Sequence, residues 1–202
     1  AGASLTVSSG ASITVNDGSG ENDIVVNGTL NISGSVHGAG KVVINGTCNW
    51  NYSRFSNHSD YDGISNTNFN IGASGIMYLN GSETKWFHDG DIYNSGTITI
   101  PSGAGNFHGV NGAAFHNQSS GVVNVQSDGK IYSSSQSGFW SAGFTFNNAG
   151  TLRKRTGSGT AILEKLTFTN TGTVIVENGI LNINCGNSSP GHTGTFTLTE
   201  GT

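Results

Sequence analysis

Apolar and polar residues alternate in this chain in runs of only three to five residues, and each run ends in a turn of small residues. Alternation at a period of two puts successive side chains on opposite faces, so each run predicts a short β-strand with one buried face. Leu5–Val7 and Ile13–Val15 open the series, followed by DIVVNGTLNISG (23–34) and GKVVINGTCNW (40–50). The phrase FNNAGTL from Phe146 returns as FTNTGTV from Phe168, and the NGT phrase from Asn27 returns from Asn45. NGILNI (178–183) repeats the latter. IYNSGTITI from Ile92 and FHNQSSGVVNV from Phe115 belong to the same set; the longer step from Phe115 to Phe146 implies an insertion within 133–143. Residues 51–90 form a less regular, aromatic-rich insertion with Tyr52, Tyr61 and Trp86.

Short strands recurring every ~20–30 residues predict stacked repeats. Leucine-rich repeats need a denser Leu scaffold, propeller blades a longer period, and sandwiches longer strands. The pattern that remains is an all-β solenoid, a parallel β-helix with about three strands per coil. Asn-Gly corners are expected to supply positive φ. The whole of 1–202 reads as one β-helix segment of a longer chain.

Composition sharpens this. Charged residues make up 10% of the chain against 32 glycines, a balance that disfavours helices. Eight Lys plus Arg and a net charge of −4 argue against a nucleic-acid surface. No apolar run reaches the ~20 residues of a membrane span. Cys48 and Cys185 each sit within an apolar alternation, so both are expected as reduced core thiols. Trp50 aligns with Ile32 and is expected in the core.

The phrases FNNAGTL, FTNTGTVIVENGILNI and GASLTVSSGASITV resemble the right-handed β-helical repeat regions of large bacterial surface and secreted proteins: adhesins, autotransporter passenger domains and filamentous haemagglutinin-like proteins. The resemblance implies a right-handed solenoid, an extracellular or cell-surface location, and a stalk, filament or adhesive role. It brings no catalytic residues.

Several residues carry candidate chemistry. Asp60 with Asp62, and Asp89 with Asp91, are spaced to share a strand face, where paired carboxylates can bind Ca²⁺ or act as acid and base. Solvated loop aspartates are the commoner outcome, and the only nearby bases are Arg54 and Lys85. Trp86, Tyr61 and Tyr52 are candidate stacking surfaces for sugar rings, although one of the adjacent Trp86 and Phe87 must point inward. The basic strip at Arg153–Arg155 reads as a solvated outer face, and the six histidines, lacking metal-ligand spacing, as mostly exposed. No cofactor other than calcium is expected.

The leading functional reading is a non-enzymatic structural or adhesive segment that contacts polysaccharide or host and neighbour-cell glycans, with end-to-end self-association through uncapped coils. A polysaccharide lyase or glycoside hydrolase is the first alternative. Ice binding is the second, hinted at by TIT (97–99) and TFTLT (195–199).

Overall fold

The computed structural model describes residues 2–16, 23–52, 54–56, 60–62, 64–133, 143–185 and 191–199, giving the course of the backbone for 54–56 and 60–62. The first coil is β1 (Ser4–Val7), β2 (Ser12–Thr14) and β3 (Ile24–Val26). The second is β4 (Thr29–Ile32), β5 (Ser35–His37) and β6 (Lys41–Ile44). The third begins with β7 (Thr47–Trp50), leaves the helix as an antiparallel ribbon of β8 (Arg54–Ser56) and β9 (Asp60–Asp62), and resumes at β10 (Ile64–Ser65) and β11 (Asn68–Ile71). β12 (Ile76–Leu79), β13 (Lys85–His88) and β14 (Asp91–Asn94) form the fourth. The fifth is β15 (Thr97–Ile100), β16 (Phe107–Val110) and β17 (Ala114–Asn117). The sixth is β18 (Val122–Val125), β19 (Lys130–Tyr132) and β20 (Thr145–Asn148). The seventh is β21 (Thr151–Lys154), β22 (Thr160–Glu164) and β23 (Thr167–Asn170), followed by β24 (Thr173–Val176), β25 (Ile180–Asn184) and β26 (Thr195–Leu198).

Strands of successive coils pair in parallel and build three sheets. Sheet A runs β1-β4-β7-β12-β15-β18-β21-β24-β26, sheet B β2-β5-β10-β13-β16-β19-β22-β25, and sheet C β3-β6-β11-β14-β17-β20-β23. The chain visits them in the order A, B, C, so the molecule is an all-β parallel β-helix. In sheet A the step from a residue to its partner is shortest from Thr29 to Thr47 and longest from Thr47 to Ile76 and from Val122 to Thr151, and the corners absorb the difference. The insertion at 133–143 falls between β19 and β20, with 134–142 outside the described residues. Within 51–90, β10 to β14 all take places in the three sheets, and among the described strands the β8–β9 ribbon stands outside them.

Phe146 lies on Phe168 in sheet C, and Phe69, Ile92 and Phe115 continue their column through the core. The Phe115 and Phe146 rings stack at 4.8 Å. Such a column buries large apolar area at every coil, the main favourable term in folding. Trp50 is fully buried on Ile32. Cys48, between Leu30 and Met77, and Cys185 are both free and buried; burial pushes their thiols up to about 12 and about 11.

Two stacked features explain the repeated phrase. From β4 onward, every strand of sheet A is preceded by glycine, at positions 28, 46, 75, 96, 121, 150, 172 and 194. A Cβ at Gly46 would strike the Gly28 carbonyl oxygen of the preceding coil, and one at Gly172 the Gly150 carbonyl oxygen. None of the eight has positive φ, contrary to the expectation for Asn-Gly corners; they are needed for close approach. In NGILNI the glycine, Gly179, does have positive φ, and the phrase feeds sheet B instead of sheet A. The second feature is a buried asparagine ladder at the end of sheet C. Asn94 Nδ2 donates to Asn117 Oδ1 (2.8 Å), Asn117 to Asn148 (2.7 Å) and Asn148 to Asn170 (2.7 Å). The same amides also donate to backbone carbonyls where the chain enters sheet A, such as those of Val122, Thr151 and Thr173, and so tie the corner.

Candidate functional site on the outer face of sheet B

Strand parity places Trp86, His108, Tyr132 and Glu164 at one outward register position on β13, β16, β19 and β22, each over the last. With strands ~4.8 Å apart, rings at this position meet directly. The Trp86 and His108 centroids lie 4.1 Å apart edge to face, and His108 stacks on Tyr132 at 4.2 Å with planes 5° apart. His88 stacks on Trp86 from the same strand at 5.9 Å. Trp86 and Tyr132 are half-buried, whereas His108 is fully enclosed. At the C-terminal end of the ladder, Lys130 Nζ donates to Glu164 Oε2 at 2.7 Å, which holds the Glu164 carboxyl below its usual range. Nearer the N-terminus, Thr14 Oγ1 and the His37 ring share a hydrogen bond of 2.9 Å.

Burial governs the ionisation of the ladder. It pushes His88 down to about 4, offset in part by Asp89, and His108 down to about 4, where His88 adds to the effect. Both rings are therefore neutral near pH 7. The expectation that the histidines are mostly exposed fails at these two, because their rings pack against Trp86 and Tyr132. Burial also raises Tyr132.

Trp86 projects outward and Phe87 into the core. Asp89 and Asp91 do not share a strand. Asp89 sits in the corner after β13 with φ of 55°, and Asp91 opens β14 on sheet C, where it accepts a 2.8 Å bond from Tyr93 Oη. Tyr93 in turn stacks on His116 at 4.7 Å. Tyr52 follows β7, half-buried, its carbonyl accepting from Trp50 Nε1. Asp60, Tyr61 and Asp62 form β9, which lies beside β5 while β8 lies beside β13, so the ribbon borders sheet B; their side chains lie outside the described residues, as does the calcium expectation resting on them. Among the described residues no three His, Cys, Asp or Glu gather as a metal-binding group.

Two lysines are buried, of which Lys154 departs from the expected solvated basic strip. Lys85 turns its ammonium onto the carbonyls of Glu83 (2.7 Å) and Gly81 (3.4 Å), and burial pushes it down to about 8. Lys154 is fully enclosed, bonded to the Thr156 and Ser127 carbonyls and to Asp128 Oδ1 at 2.9 Å. Its parity, two residues after the inward Leu152, aims it into the coil, where it ties the corner through these bonds. The ladder members His108 and Tyr132 were not singled out from sequence. Their signal is spacing: Trp86, His108 and Tyr132 recur at intervals of one coil each.

No family model matches this chain, nor does any curated protein or solved structure.

Proposed function

We propose that this chain is a structural and adhesive β-helical segment of a bacterial surface or secreted protein, and that it contacts glycans through the outer face of sheet B. The observation that carries this reading is the coil-spaced ladder Trp86–His108–Tyr132, two partly exposed aromatic rings packed against an enclosed third. Preorganised rings offer apolar faces to pyranose rings at little entropic cost. Neutral rings suit a neutral or weakly charged polysaccharide. A lyase or hydrolase would need acid and base beside a sugar-handling cation. Asp89 and Asp91 are divided by a corner, and the Lys85 ammonium is occupied by backbone carbonyls.

The test is a glycan array, run beside depolymerisation assays on uronic acid polymers. Trp86→Ala with Tyr132→Ala is expected to weaken binding about tenfold, at about 1 kcal/mol or less per lost ring, with no depolymerisation by either protein. Glycan binding unchanged in the double variant, or chain cleavage by the parent, refutes the reading.

A further inference from the structure

The outer face of sheet A differs from the other two. At its first outward register position stand Thr29, Thr47, Thr97, Thr151, Thr173 and Thr195, one per coil. Of the remaining three strands, β12 and β18 place the β-branched Ile76 and Val122 there, and β1 places Ser4. The general preference of threonine for strands does not account for this. The corresponding column of sheet C reads Lys41, Asn68, Asp91 and Ala114 before its two threonines, and sheet B carries the aromatic ladder. The second outward column of sheet A holds one charged residue, Arg153, whose Nε lies 4.0 Å from Glu177. Nine strands thus present a face with a single charged group, beside a carboxylate that Arg155 Nε holds more closely, at 3.1 Å.

We propose that this face binds ice. A β-branched threonine has few χ1 states, so on a rigid strand its hydroxyl and methyl recur in fixed positions. The recurrence follows the strand spacing of ~4.8 Å over the seven steps from β4 to β26, roughly 34 Å in all. That interval is close to the one between oxygen rows in ice. Methyl groups restrict the orientations of first-shell water while the adjacent hydroxyls anchor it by hydrogen bonds. A surface that already holds water in a lattice-like array freezes onto ice with little further ordering. Charge complementarity selects the partner: anionic polymers and lipid headgroups call for clustered cations, and this face carries one arginine in nine strands, whereas ice is uncharged and repeats in step with the coils. The protruding Tyr78 and Arg153 interrupt the second column, so the threonine column is the working row. This proposal is independent of the glycan reading, which rests on sheet B.

The experiment is partition of the whole chain into slowly grown polycrystalline ice, with recrystallisation inhibition as a second readout. Thr97→Tyr with Thr151→Tyr is expected to lower both at least tenfold. Thr145→Tyr, at the matching position of sheet C, is expected to leave both unchanged, with identical circular dichroism. If the tyrosine pair fails to fold, Thr97→Val with Thr151→Val keeps the shape, removes two hydroxyls and is expected to weaken retention severalfold. Exclusion of the parent chain from ice overturns the proposal, as do sheet A variants that behave like the parent. Binding to crystalline cellulose or chitin that sheet A variants abolish, without retention in ice, gives the face to a polysaccharide and overturns it equally.

Discussion

A glycine's role here depends on which atoms lie beside it. Gly172 and Gly179 both follow polar turn residues, yet only Gly179 needs positive φ. Gly172 is required because a methyl there would collide with the Gly150 carbonyl oxygen, a backbone atom that cannot swing aside. Gly172→Ala is therefore expected to destabilise the fold by about 1–3 kcal/mol, the usual range for forced overpacking. Gly191→Ala, where the added methyl meets nothing within 4 Å, is expected to be neutral or slightly stabilising. Urea midpoints of the two variants against the parent check this; equal effects would mean that chain flexibility, and not contact, sets the requirement. The same logic explains the Gly-Thr pairs seen as a bare repeat in the sequence. The glycine lets one coil settle on the last, and the threonine begins the outer face of sheet A.

At the scale of strands, β13 and β16 set two histidines into one covered patch, and this links stability to pH. An unfolded histidine titrates near 6.5 and these folded ones near 4, so between those values the unfolded chain binds more protons. A depressed histidine therefore contributes stability that is full above pH 6.5 and lost as pH falls towards 4. The shift corresponds to on the order of 3 kcal/mol for each ring at the acid end. Glu164, held low by Lys130, has the opposite origin but the same direction, and its contribution is lost only below its ordinary value of 4.5. The window from pH 6.5 to 4.5 thus isolates the histidines. Unfolding free energy measured by urea titration is expected to fall across that window in the parent and to stay nearly level in His88→Gln with His108→Gln. A parent curve that is flat there would mean that both rings reach solvent.

Across the whole molecule, what was legible in the sequence was whatever repeats as words. Phe146 and Phe168 stand in matching phrases because they occupy equivalent places, so the coil repeat could be read directly. The aromatic ladder could not, because Trp86, His108 and Tyr132 share spacing and outward parity but no residue type. Lys154 was misread through its charge, although its parity with Leu152 already pointed inward. Asp89 and Asp91 were paired by a parity that the corner between them breaks. All of these follow from a molecule that is nearly one-dimensional, each coil resting only on its neighbours. Deleting one full coil should then be tolerated. Removing Thr151 through Gly172 joins Gly150 to Thr173 and restores the Gly-Thr junction. It lays Val174 on Val123 in sheet A and Ile183 on Ile131 in sheet B, apolar on apolar. The deletion strips Lys154 from Asp128 and Glu164 from Lys130, but the stranded side chains are 52% and 43% exposed and rehydrate readily. Removing only Thr151 through Ala161 instead runs sheet C into the sequence of sheet B and puts every later strand in the wrong sheet. The full-coil deletion is expected to keep its strand circular dichroism and a single cooperative urea transition, shifted to lower urea, whereas the half-coil deletion is expected not to fold. If both collapse alike, the coils are not the independent units that their register implies.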